Sequence, residues 1–111
     1  IMVLNDTITS QPKIIQALCN GFEKGMRRTY ADPAFARQVA AREFPQLPAA
    51  VVNSAIDSEL KYKIPSQTVV VDQAQWANLM AMQVYLKNIK GTTTFEQIVD
   101  NSFATKAAAM A

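Results

Sequence analysis

The stretch "TSQPKIIQALCNGFEKGMRRTYAD", residues 9–32, decides how this chain folds. Pro12 has no N–H to donate, so it suits the first turn of a helix, and Ser10 or Thr9 just before it supplies an N-cap oxygen. From there Ile14, Ile15, Leu18, Phe22, Met26 and Tyr30 recur at helical spacing and make one apolar face. The spacing predicts a long helix that other elements must cover. Gly21 and Gly25 lie one turn apart inside it, and each costs about 1 kcal/mol of helix propensity against Ala. Close approach of a second helix is the simplest use for them. A phosphate-cradling loop would need a strand and turn ahead of the glycines, which this stretch lacks.

Working outward, "DPAFARQVAAREFP" (32–45) predicts a second helix, with Asp32 as N-cap, Pro33 at the first helical position and Pro45 as terminator. "LPAAVVNSAIDSELKYKIP" (47–65) predicts a third, started by Pro48 and stopped by Pro65, with Val51, Val52, Ala55, Ile56 and Leu60 as its stripe. "SQTVVVDQAQW" (66–76) is an extended connector into a fourth helix. There Asp72 and Gln75 form a D-x-x-Q capping box, Val71 and Trp76 stand at the positions of a hydrophobic staple, and Gly91 is placed to end the helix as its left-handed residue. Thr94 and Gln97 repeat the box before a very short helix. Asp100, Asn101 and Ser102 make a turn, Ser102 caps a last helix, and Phe103 is presented as an apolar plug. Upstream, "IMVLNDTI" (1–8) is apolar and β-branched up to its break at Asn5 and Asp6, and reads as one short strand. A lone strand needs a partner for its backbone, so this one must pair with another copy or with sheet that lies outside the chain.

The chain has 111 residues, about one domain's worth, half of them hydrophobic and only 18% charged. So low a charge content, in a chain too short to bury much of its surface, implies apolar surface meant for a partner or for further chain. A net charge of +2 with scattered bases excludes a nucleic-acid stripe. Arg27 and Arg28 read as a solvated face, and Lys87 and Lys90 as complement to a helix end. Cys19 alone permits no internal disulfide and no cysteine metal cluster, and its apolar helical setting predicts a buried, inert thiol. No apolar run reaches membrane-spanning length, and no signal peptide is visible; the abrupt strand-like start is what an excised piece would show.

There is no histidine, so the commonest general base and metal ligand is missing. Asp32 and Asp72 are spent as caps. Asp57 and Glu59 are two apart, on different sides of a helix, and make no dyad. No serine sits in a nucleophile elbow. The residues therefore predict no catalytic site, no metal and no cofactor. Trp76 and the methionines Met26, Met80 and Met82 read as packing groups.

The order of parts resembles the ABC-transporter solute-binding proteins of the taurine, sulfonate, nitrate and thiamine-pyrimidine group. "SQPKIIQALCNGFEKG" is similar to their "NPEVVKAFLRALAKG" type of segment through Pro12, Ile15, Ala17, Leu18 and Gly25. "DPAFARQVAAREFPQLPAAVVNSAI" resembles "P-E-E-A-A-x-I-x-A-K-x-F-P-x-L-x-x-x-x-x-x-x-A" through Pro33, Ala36, Phe44, Pro45, Leu47 and Ala55. "VVVDQAQWANLMAMQVYLKNIKG" resembles "I-D-P-E-A-W-Q-x-x-x-D-F-L-x-x-x-G" through Asp72, Trp76, Leu86 and Gly91. "TFEQIVDNSFATKA" is similar to "Y-E-D-L-V-D-N-S-F-A-E-K-A" through Val99 to Ala104 and Lys106. The run "KYKIPSQTVVV" departs from the pattern by lacking a Trp- or Gly-rich segment.

The resemblance implies a mainly α chain with one short N-terminal strand and four to six helices, the C-terminal portion of a two-lobe α/β periplasmic-binding-protein fold. Residues 1–111 would form a single unit: 1–8 the crossing strand, 9–65 three helices, and 66–111 the connector, fourth helix and C-terminal docking tail. It implies a structural part in a periplasmic or extracytoplasmic protein, membrane-associated through its transporter. That protein would capture a sulfonate, a nitrate-like anion or a pyrimidine-like compound for ABC permease subunits. Most ligand contacts would come from other sequence; Asn5 and Asp6, at the strand end, are the expected hinge or cleft-rim residues. A fragment of this kind would self-associate through strand 1–8 and its apolar helix faces. Two other readings stand beside it, a small all-helical module that binds a partner helix and an enzyme of the thiamine-pyrimidine branch.

Overall fold

The structure is a computed structural model that describes residues 2–91 and 93–110. Among the described residues it is all helical, with seven helices in place of the expected four to six: α1 Asn5–Ser10, α2 Pro12–Ala31, α3 Pro33–Glu43, α4 Ala49–Lys61, α5 Gln73–Tyr85, α6 Phe95–Ile98 and α7 Ser102–Ala108.

Among the described residues the expected strand over 1–8 is not formed, residue 1 lying outside them. Its second half is α1, entered from an extended Leu4 whose carbonyl accepts from Thr7 N–H at 3.0 Å and Ile8 N–H at 3.2 Å. A strand without a neighbour leaves its backbone groups to solvent, whereas a helix pairs them within the segment. Thr9 and Ser10, expected as caps of the long helix, instead donate their hydroxyls back to the Asn5 and Asp6 carbonyls at 3.1 and 2.6 Å. The break falls at Gln11 (φ −132°, ψ 45°), because a residue before proline is pushed out of the α region and Pro12 has no N–H to continue α1.

α2 is the axis of the molecule, and α1, α3 and α7 all pack on it. Its inner face buries Ile15, Cys19 and Glu23. Ile15 and Cys19 form the core with Ala107 of α7, backed by Val69 and Phe103, so the thiol is buried and the last Phe does plug an apolar site. α3 and α4 pair on each other, burying Ala36 and Val52, and Arg37 crosses between them to Asp57 at 2.9 Å through Nε. Gly21 and Gly25 admit no close neighbour within the chain: a Cβ at either would meet nothing within 4 Å. The helix partner expected there is not part of this fold.

Helix ends follow local chemistry, though not always where it was expected. Asp32 caps α3 by accepting from Phe35 N–H at 3.0 Å, and Asp72 caps α5 by accepting from Ala74 and Gln75 N–H. α4 ends at Lys61, short of Pro65, and α5 ends at Tyr85, short of Gly91. In each case a lysine takes the left-handed C′ position, Lys63 at φ 52° and Lys87 at φ 58°. Both ends are complete Schellman motifs: Lys63 and Ile64 N–H donate to Leu60 and Glu59 carbonyls, and Lys87 and Asn88 N–H to Val84 and Gln83. Gly91, at φ 92°, lies in a later bend. α7 begins with Ser102 as its first residue, not its cap; Asn101 holds the N-cap position and uses its side chain elsewhere.

The chain is spread out. Its radius of gyration is 16.7 Å, against about 13 Å for a compact domain of this length. Its accessible surface is 8429 Å² at 12.2 kDa, and a compact monomer of that mass exposes about 6,100 Å², so roughly 2,300 Å² is left uncovered.

Candidate functional site: an open cleft and the latch behind it

A cleft of about 690 Å³ opens between α1 and the segment that joins α6 to α7. Asn5 and Ile8 stand on one wall, Ile98 and Asp100 on the other, with Cys19 and Phe103 at the floor. The volume is in the range of small-molecule sites, about 300–1,000 Å³, with the usual apolar floor and polar rim. Its charged lining residues, Glu96 and Asp100, are both acidic. Asp100 accepts from Ser102 N–H at 2.8 Å. Hydrogen bonds from Ser102, side chain and backbone, hold its carboxyl below the usual range, with Lys106 adding a smaller attraction.

The two residues expected at a hinge or cleft rim separate. Asn5 lines this cleft, as the first residue of α1 and not as the end of a crossing strand. Asp6 is exposed in the first turn of α1, outside the cleft lining.

Beyond the floor lies a buried side chain that the sequence reading missed. Glu23 is 2% exposed, the buried charged residue among those described. It sits one turn beyond Cys19 on the inner face of α2. Its Oε1 accepts from Arg27 Nε at 2.7 Å, and its Oε2 accepts from Thr68 Oγ1 and Val69 N–H, both at 2.9 Å. The Val69 N–H lowers its pKa most, Arg27 and Thr68 lower it further, and burial opposes them. Arg27, expected on a solvated face, is the other half of the latch. Its Nη1 donates to the Met110 carbonyl at 2.9 Å and its Nη2 to the Ala108 carbonyl. One ion pair on α2 therefore ties down both the connector and the end of α7. Arg28 does stay on the solvated face, pairing with Asp32 at 2.8 Å and lying over the Phe35 ring.

Three more side chains complete the frame. Asn101 grips Val71 by both backbone groups, accepting from its N–H at 3.0 Å and donating to its carbonyl at 2.9 Å. Gln16 donates to Asn20 and to the Phe103 carbonyl at 2.8 and 3.0 Å. Tyr30 donates its hydroxyl to the Pro65 carbonyl. A signal for Glu23 was present in the sequence: an acid in register with Ile15 and Cys19, with Arg one turn on. Nothing local pointed to Asn101, whose partner is 30 residues away.

All three of its hydrogen bonds come from protein donors and it is not among the residues lining the cleft, so Glu23 acts as a structural anion. Trp76 stacks edge-on against Phe95, centroids 6.3 Å apart at 79°, beside a second, apolar hollow of about 370 Å³ whose lining includes Leu79, Met80 and Ile89. Among the described residues no three His, Cys, Asp or Glu side chains gather as a metal site, and no helix is long and apolar enough to cross a membrane. Comparison with protein-family models, curated proteins and solved structures returns no match to this chain.

Proposed function

We propose that this chain is the C-terminal structural portion of an extracytoplasmic solute-binding protein that captures a small solute for import by an ABC permease. The solute is a sulfonate, a nitrate-like anion or a pyrimidine-like compound, and the chain itself braces the protein without catalysing a reaction. The observation that carries this reading is the succession of four segments resembling that family, in family order, closing on "VDNSFATKA". Two physical features support it. The chain leaves roughly 2,300 Å² more surface open than a compact monomer of its mass, an area on the scale of a large protein interface. The charged residues lining its cleft are acidic, which suits an anionic solute poorly and is consistent with the solute being held elsewhere.

The test is a thermal-shift series on the longest polypeptide that contains these residues, with taurine, nitrate and an aminopyrimidine as probes. One of the three raises its Tm, because a ligand bound only to the native state stabilises it by mass action. The 111-residue chain alone shows no shift. A longer polypeptide indifferent to all three, or a clear shift of the 111-residue chain, overturns the proposal.

A further inference from the structure

α2 is apolar on two faces, and the chain uses one. The inner face carries Ile15, Cys19 and the core. The outer face carries Ile14, Leu18, Gly21 and Gly25 at spacings of four, three and four residues, with Phe22 beside them. That is the alternation of a helix–helix seam, about 17 Å long. Ile14, Leu18 and Phe22 are 54%, 43% and 51% exposed, and the two glycines have open space where a Cβ would go.

Charge indicates what fits there. The only acid in α2 is Glu23, and it is turned inward and buried. Within α2 the exposed charges beside the seam are basic, with Lys13 and Lys24 along one side of it, and beyond its end Arg28 pairs with Asp32. Lys13 and Lys24 are exposed and, among the described residues, form no ion pair. Flanking charges of this kind select a seam partner of opposite sign.

We propose that the outer face of α2 docks an amphipathic helix whose apolar seam is flanked by Asp or Glu side chains. The partner's Leu- or Ile-type residues sit over Ile14 and Leu18, and its backbone comes closest at Gly21 and Gly25. Its acids meet Lys13 and Lys24. This inference is independent of the solute-binding reading, and its test uses no solute.

The experiment titrates the 111-residue chain into two fluorescent peptides of about three heptads, with Leu at both seam positions. One has Glu at the flanking positions and the other Lys, and like charges keep each peptide from pairing with itself. The Glu peptide binds at least about tenfold more tightly at low salt, the margin shrinking as salt screens the flanks. Leu18→Glu abolishes binding. Gly21→Ala separates docking from folding: it raises the Tm of the chain, since Ala favours the helix and meets no neighbour, yet it weakens peptide binding several-fold. Equal binding of the two peptides, or undiminished binding by Gly21→Ala, overturns the proposal. So does sedimentation showing a dimer that Leu18→Glu dissolves, which would make the occupant a second copy. Binding to vesicles of equal parts phosphatidylcholine and phosphatidylglycerol in place of the Glu peptide overturns it as well.

Discussion

Replacing Glu23 by Ala removes the acceptor that joins α2 to the connector. The Val69 N–H and the Thr68 hydroxyl, each 2.9 Å from the carboxylate, lose their partner, and Arg27 loses the anion at 2.7 Å that orients it toward the Ala108 and Met110 carbonyls. Breaking a buried ion pair from one side costs about 3–5 kcal/mol. Arg27 is 44% exposed and can be rehydrated once released, so the cost belongs at the low end, about 3 kcal/mol. A chain of this length has roughly 5–15 kcal/mol of stability in all, so the loss is a large share of it, and Tm falls by roughly 10–20 °C. Urea denaturation followed by circular dichroism measures the global effect, and hydrogen exchange at the Val69 amide measures the local one. Glu23→Gln is milder, about 2 kcal/mol, because one oxygen still accepts while the new amide faces a donor. An Ala variant that loses under about 1 kcal/mol and keeps a protected Val69 amide would refute the latch.

The same carboxylate makes stability depend on acid. Its native pKa lies below the ordinary 4.5, so its contribution is complete above that value and is lost as pH falls through the lowered native pKa. Glu23→Gln flattens this part of the stability profile below pH 4.5, with the share due to Asp100 remaining. At the two Schellman ends, Lys63→Gly and Lys87→Gly relieve the left-handed strain on a residue with a Cβ. Each raises stability by up to about 1 kcal/mol, read from the urea midpoint, and a loss at either would argue against the positive φ. Asn101→Ala removes both bonds to Val71, costs about 1–2 kcal/mol and accelerates exchange at the Val71 amide ahead of the rest of the chain. Phe103→Ala opens the core beside Cys19, costs about 2–3 kcal/mol for a half-buried ring, and speeds the reaction of the Cys19 thiol with a disulfide reagent; an unreactive thiol in that variant would contradict the packing.

Much of the helix pattern was legible. Pro12, Pro33 and Pro48 mark three starts, and Asp32 and Asp72 cap the helices that follow them. The Gln97 carboxamide accepts from Thr94 N–H at 3.0 Å, as the second box required. These signals act over three or four residues, so the sequence carries them whole. The N-terminal reading failed because β-branched composition is a weak preference, decided by whether a neighbour exists to pair with. The end of α4 was misplaced by reading Pro65 as its stop and that of α5 by reading Gly91 as its left-handed residue, whereas a lysine can hold a left-handed C′ position when two backbone bonds secure it. The cleft was not legible, since its two walls come from opposite ends of the chain and no local pattern carries that juxtaposition.

Residue spacing by itself determined that most of this chain beyond residue 8 is helical, where most of those helices begin, that α2 has an apolar face, and that Cys19 is a core thiol, because each of these follows from chemistry within a turn or two. Only the tertiary structure decided that Glu23 and Arg27 point at residues 68–69 and 108–110, that Asn101 clasps Val71, and that the glycine-bearing face of α2 stays open. Those outcomes depend on which distant backbone groups arrive beside a side chain, and the separations of 30 to 83 residues involved leave no periodic trace in the sequence.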